Sequence, residues 1–251
     1  MDLGLKGRVV LVTGAGQGVG RAIGDAFAQE GAHVAFHYHR SAAGAEAGAE
    51  AARAMGVKAK AFAANLEDRP AIDAMVAAVE QELGPIDILV NNAAATGQQY
   101  FMESTEADWK PRIAVTVVGL MHVCQSVIAR MSKRNRGSIV TLAGDSGRIG
   151  EARLAVTAAT RGAAIAFSKS MAREMARFNI RVNIVALGLV KTPNFANHSD
   201  PALLERVTKM YPLRRLGEAE DVPPLVLMLA SERTSWVTGQ VISINGGYSM
   251  V

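Results

Sequence analysis

Between Arg8 and Gly20 the chain leaves little choice of fold. Arg8–Val12 is short, apolar and rich in β-branched residues, which reads as a buried strand. It runs directly into Thr13-Gly14-Ala15-Gly16-Gln17-Gly18-Val19-Gly20, and a helical pattern then continues to Glu30. Glycines at 14, 18 and 20 allow a tight turn, close approach of a ligand to the backbone, and close packing of helix on strand. A helix opening at such a turn presents free N–H groups and a positive dipole end, which favour phosphate. A glycine cluster alone is weak evidence. Placed between a strand and a helix, it points to a dinucleotide pyrophosphate cradled by Gly14, Gly16, Gln17, Gly18, Val19 and Gly20.

The alternation continues along the chain. Strand-like runs at His33–Tyr38, Lys58–Ala64, Ile86–Asn91, Ser138–Leu142, Arg181–Leu187 and Val241–Ile244 are separated by helical stretches. The helices include one to about Met55, one over Pro70–Leu83, and two long ones over Ala107–Met131 and about Arg153 to Phe178. Seven strands with helical crossovers predict a single-domain α/β Rossmann fold over residues 1–251, a doubly wound seven-stranded parallel sheet covered on both faces. The segment at about 192–212, with Pro193, Pro201 and Pro212, breaks the alternation and reads as a lid.

Composition narrows the function classes. One cysteine, Cys124, excludes an internal disulfide and fits a reducing, cytoplasmic setting; its apolar helical surroundings make it a core residue rather than a nucleophile. No stretch is expected to be long and apolar enough to span a bilayer, and the N-terminus carries no apolar targeting core. The formal charge is +4, with its densest cluster at Arg130, Lys133, Arg134 and Arg136. Without a recognition motif this cluster reads as a solvated turn, so neither nucleic acid nor membrane is expected as a partner, and no metal site is expected.

The Thr-Gly-x-x-x-Gly-x-Gly spacing resembles that of the short-chain dehydrogenase/reductase family, and the resemblance runs the length of the chain. Asn91-Asn92-Ala93-Ala94 is similar to the family's segment after the fourth strand. Arg181-Val182-Asn183, Gly188, Thr192, Pro212 to Gly217, Glu220-Asp221-Val222, Thr238-Gly239-Gln240 and Asn245-Gly246-Gly247 follow its later motifs. The resemblance implies that Val190 and Thr192 hold the nicotinamide carboxamide, and that Asn65, Leu66, Asn91 and Ala93 lie near the adenosine. It also implies oligomers, often tetramers, built through the two long helices.

Cofactor choice turns on the end of the second strand. An NAD site places an acid there for the ribose hydroxyls. This chain has no Asp or Glu from Gly31 to Ala45, and offers His37-Tyr38-His39-Arg40-Ser41. His39, Arg40 and Ser41 are similar to the 2′-phosphate clamp of the family's pteridine reductases, and charge complementarity favours NADP over NAD.

The family's chemistry uses an Asn, a Ser, a Tyr and a Lys. Phe167-Ser168-Lys169-Ser170-Met171-Ala172-Arg173-Glu174 aligns without gaps with the stretch after that tyrosine. Counting back places Thr157 at the tyrosine, Arg161 at the lysine and Gly144 at the serine, while Trp109 places Thr116 at the asparagine. An aliphatic hydroxyl does not ionise near neutral pH, and losing a positioned acid costs about 10²–10⁴-fold in rate. Arg161 keeps a charge that suits ribose hydroxyls, but its geometry is unlike an ammonium. Asp145 and Ser146 are the candidate substitutes, although both also suit a turn capping the next helix.

Two readings follow. In the first the chain is a non-catalytic or weakly active subunit of a homo- or hetero-oligomer. Such a subunit is akin to the degenerate partner in heteromeric members such as the benzylsuccinate-pathway dehydrogenase. In the second it is an active NADP-dependent alcohol dehydrogenase or ketone reductase, with a small-molecule substrate and an unusual proton donor.

Overall fold

The computed structural model describes residues 1–191 and 201–251. Seven strands form one parallel sheet: β1 (Val9–Val12), β2 (His33–Tyr38), β3 (Ala59–Ala63), β4 (Ile86–Asn91), β5 (Gly137–Gly144), β6 (Ile180–Leu187) and β7 (Val241–Ile244). Their order is β3-β2-β1-β4-β5-β6-β7, so the winding direction reverses between β1 and β4. Loops leaving those two strands diverge in opposite directions, which opens a cleft at their carboxyl ends.

Every residue of β1 is buried because both faces of the sheet are covered. Val10 and Val12 belong with Ile23, Phe27 and Val226 on one face, while Val9 and Leu11 belong with Ile72, Val76 and Val123 on the other. One face is covered by α1 (Gly18–Gln29), α2 (Ala42–Ala54) and α9 (Pro223–Ala230). The other is covered by α3 (Arg69–Leu83), α4 (Glu106–Ile113) with its continuation α5 (Leu120–Met131), and α7 (Ala155–Met175). Asp68 caps α3 by accepting from the Ala71 N–H at 3.4 Å, and Pro70 occupies the first turn, where a missing N–H costs nothing.

Besides α9, two short helices stand where the sequence pattern predicts only connections. These are α6 (Ser146–Ile149), directly after β5, and α8 (Pro201–Lys209), inside the proposed lid. The first long helix is also not uniform. Between α4 and α5 the residues Ala114–Gly119 form a π-helical turn. A Cβ on Gly119 would lie 2.8 Å from the Leu66 carbonyl oxygen, so this wide turn packs directly on the backbone after β3.

That helical run corrects one expectation. Glu106–Arg134 is 29 residues long, with a window of mean hydropathy 1.6, and is long and apolar enough to cross a membrane by length and composition alone. One side of its second half is spent inside the domain: Leu120, Val123, Cys124, Val127 and Met131 are buried with the residues of β4 and α3. The basic cluster that follows it is largely paired. Glu80 receives Arg130 at 3.3 Å and Arg134 at 3.2 Å, and Arg136 meets Glu232 at 3.3 Å.

Candidate functional site

At the carboxyl ends of the strands the cleft holds two adjoining cavities that share Gly14, Gln17 and Ala94. One, of about 400 Å³, runs past Gly16, His39, Arg40, Ser41, Asn65, Leu66 and Ala93. The other, of about 770 Å³, runs past Gly18, Val19, Gly144, Ser146, Thr157, Arg161 and Val190. Residues from distant parts of the sequence therefore form one elongated track across the top of β1, β4 and β5.

The glycine turn is braced from several sides. A Cβ on Gly20 would lie 2.4 Å from the Gly14 oxygen and from Asn92 Nδ2, and one on Gly44 would lie 1.9 Å from the Gly16 oxygen. The start of α2 thus presses directly on the turn. Asn92 Nδ2 donates to Thr13 O at 3.0 Å and Gly14 O at 3.1 Å, while Thr13 Oγ1 accepts from the N–H groups of Asn92 and Ala93. The end cap of α1, Gln17, makes no side-chain hydrogen bond, so the first-turn N–H groups have no side-chain acceptor beside the cavity. An open helix N-terminus against small, tightly packed residues fits a pyrophosphate.

His37 has a different part from its sequence neighbours. The ring is 1% exposed; its Nδ1 accepts from the Gly14 N–H at 3.0 Å, and its Nε2 bonds Ala64 O at 3.1 Å. Burial pushes its pKa down to about 4, so the ring is neutral at pH 7 and braces the turn. His39 and Arg40 are exposed at the outer end of the smaller cavity, with Ser41 beside them. The acid on that wall is Glu67, whose N–H bonds Asn65 Oδ1 at 3.1 Å.

The four positions aligned with the family's chemical groups come together around the larger cavity and its base. Thr116 sits on the π-helical turn; its Oγ1 accepts from the Ala95 N–H at 3.0 Å and donates to Ala95 O at 3.2 Å. Thr157, on α7, accepts from the Gly97 N–H at 3.2 Å and donates to Gly97 O at 2.9 Å. The two threonines therefore clamp the same loop after β4, two residues apart. Arg161 Nη1 donates to Leu142 O at 3.2 Å, and burial lowers the guanidinium to about 10, which leaves it charged at neutral pH. A Cβ on Gly144 would stand 3.4 Å from Ser146 Oγ, so the nearest hydroxyl to the empty serine position is that of Ser146.

The other candidate residues have quite different surroundings. Asp145, a candidate substitute acid, is 1% exposed and accepts from Ser243 Oγ at 2.7 Å and from Asn245 Nδ2; it ties the end of β5 to β7 and the residue that follows it. Asn91, expected near the adenosine, is buried with Nδ2 on Cys124 Sγ at 3.3 Å. Cys124 itself is inert, its thiol pushed up to about 12 by burial. Val190 lines the larger cavity and bridges to Gly217, whereas Thr192 lies outside the described residues, as does the lid from 192 to 200. Tyr211, which follows α8, lines the larger cavity. Its hydroxyl accepts from the Leu189 N–H at 2.8 Å, and its ring stacks on Tyr248 with centroids 5.0 Å apart.

Among the lining residues that the sequence reading gave no part are Glu151 and Tyr248. Burial pushes the Glu151 carboxyl up, and the Asp145 charge adds to the shift. Glu151 lies in a connection and Tyr248 three residues from the end of the chain, where no periodic pattern marks them.

Comparison with known proteins agrees with this architecture. Residues 14–249 match a family model described as enoyl-(acyl carrier protein) reductase. A 3-oxoacyl-[acyl-carrier-protein] reductase of Thermotoga maritima is 38% identical over 243 residues, covering 97% of this chain and 98% of that protein. The Staphylococcus aureus protein of the same name is 36% identical over 240 residues, covering 96% and 97%. The crystal structure of a putative short-chain alcohol dehydrogenase from Sinorhizobium meliloti superposes with a TM-score of 0.93 at 30% identity, over 99% of this chain and 98% of that one. With the reversed seven-stranded sheet and the braced glycine turn, these likenesses assign the chain to the short-chain dehydrogenase/reductase family.

Proposed function

We propose that this chain binds a nicotinamide dinucleotide, NADP in preference to NAD, as a non-catalytic or weakly active cytoplasmic subunit of a short-chain dehydrogenase/reductase oligomer. The carrying observation is the double clamp: Thr116 and Thr157 spend their hydroxyls on the backbone of Ala95 and Gly97. Neither hydroxyl can then serve as an ionising proton donor, and Thr157 could not do so near neutral pH in any case. Gly144 has no side-chain donor for a developing alkoxide, a loss of about 10²–10³-fold where such donors have been removed. Arg40 and Ser41, at the outer end of the smaller cavity, support the choice of NADP. Arg161 would hold ribose hydroxyls at the other end. Exposed Ile113, Val118 and Met121 on the first long helix support association into a tetramer, with this chain or with an intact relative.

A second reading has one specific observation in its favour. Ser146 Oγ lies beside the empty serine position and lines the larger cavity, so it could hydrogen-bond a substrate carbonyl in an active NADP-dependent alcohol dehydrogenase or ketone reductase. Fluorescence titration with NADPH and NADH, with ketone reduction assayed in parallel, separates the readings. NADPH should bind about tenfold more tightly than NADH, a preference reversed by Arg40→Asp. Turnover should stay far below about 1 s⁻¹, and the triple variant Gly144→Ser, Thr157→Tyr, Arg161→Lys should raise it. Wild-type turnover of about 10 s⁻¹ would sink the first reading, as would failure to bind either dinucleotide.

A further inference from the structure

The larger cavity carries two charged side chains among its described lining residues, Arg161 and Glu151. Arg161 is anchored to Leu142 O, and Glu151 stands in the connection between α6 and α7. That connection is strained. Arg153 adopts φ 68°, the left-handed region that a side chain disfavours, and its guanidinium lies over the Tyr100 ring at 5.4 Å. The turn leaves Glu151 in the cavity wall with Tyr211 and Tyr248, which stack on one another at an interplanar angle of 23°.

This wall is short of positive charge. Among the described residues Glu151 has no cationic or hydrogen-bonding partner acting on its carboxyl; burial and Asp145 act on it in the same direction. The Tyr211 and Tyr248 hydroxyls are also pushed up, first by burial and then by the charges of Glu151 and Asp145 among others. A half-buried carboxylate without a partner is costly, and a ligand that brings a cation offsets the cost. Carboxylate and aromatic rings together suit an alkylammonium group, which gains an ion pair and contact with ring faces. Leu154, Val207 and Met210 supply apolar lining in the same cavity.

We propose that the larger cavity binds a ligand carrying an alkylammonium group, held by Glu151 beside the Tyr211–Tyr248 pair, with the alkyl part along Leu154 and Met210. The inference rests on the dinucleotide reading in one respect, that ribose occupies Arg161 and leaves Glu151 as the free charge of the cavity. Hexylammonium, 1-hexanol and hexanoate are three probes of nearly one shape that differ in charge. Calorimetric titration of the whole protein, with and without saturating NADPH, should rank hexylammonium about tenfold tighter than hexanol, with hexanoate weakest. Glu151→Gln should bring hexylammonium down to the hexanol level, and Glu151→Asp, which keeps the charge, should retain the preference. Three results would each overturn the proposal: hexylammonium no tighter than hexanol, hexylammonium unaffected by Glu151→Gln, or no binding of hexylammonium up to about 10 mM. If NADPH fails to bind while the ammonium preference holds, the dinucleotide reading falls and this one stands.

Discussion

The two halves of the cleft have been treated differently. In the phosphate half every structural device of a dinucleotide cradle is present: the glycine turn, the open start of α1, and the ring of contacts from Asn92, His37 and Gly44. In the other half the backbone is equally well formed, with β5, α7 and the π-helical turn in register around a cavity. There the hydroxyls of Thr116 and Thr157 bond to the protein itself, at Ala95 and Gly97. On the function proposed above, scaffold and chemistry separate in this chain, because the scaffold is fixed by steric closeness and the chemistry by only a few functional groups.

The largest expected effect tests the phosphate half. Gly20→Val would drive a branched side chain into Gly14 O and Asn92 Nδ2; a loss of about 3 kcal/mol in urea denaturation and of NADPH binding is expected. If binding survives, the turn is not the cradle. Acid tests the same half more gently. The His37 pKa is lowered from 6.5 to about 4 on folding, so the unfolded chain takes up a proton before the native state does. Its contribution is full above pH 6.5 and is lost as pH falls toward about 4, by roughly 2–3 kcal/mol at pH 4.5. Denaturation curves at pH 7 and pH 4.5 read this loss, and His37→Gln should shrink the difference between them. The smallest effect sharpens the chemical half. Thr157→Val removes both bonds to Gly97 and should cost about 1–2 kcal/mol without lowering turnover. A drop in turnover would return Thr157 to a chemical part.

Much of the fold was legible because β1 and the glycine turn are local signals, and because buried strands such as β4 are apolar over most of their length, with Ile88, Leu89 and Val90 in a row. The expectation that Thr157, Arg161 and Gly144 stand at the family's chemical positions rests on the match of Phe167 to Glu174, which lie on α7. The rest depends on distance in sequence. Asp145 reads as a free acid until Ser243 and Asn245, 98 and 100 residues away, are found bonded to it. Asn91 reads as a cleft residue until Cys124 is found beneath it. The helix α9, Pro223–Ala230, is apolar on nearly every position and gives no periodic signal at all. The helix Glu106–Arg134 reads as a crossover from the alternation around it, but its membrane-like length and hydropathy escape that reading, and the sheet beneath it shows where its buried side goes.

The π-helical turn at Ala114–Gly119 has a consequence for everything after it. A π-bulge inserts one residue into an α-helix, and one residue is worth about 100° of rotation. The azimuth of α5 is therefore set upstream, at Thr116, and not by α5 itself. With one residue fewer in that turn, Val123 and Val127 would swing away from the sheet and exposed Met121 and Gln125 would rotate with them. Thr116 thus stands at the point where the phase of a core helix is decided. That is a reason for a side chain here to grip the neighbouring loop whether or not it takes part in chemistry.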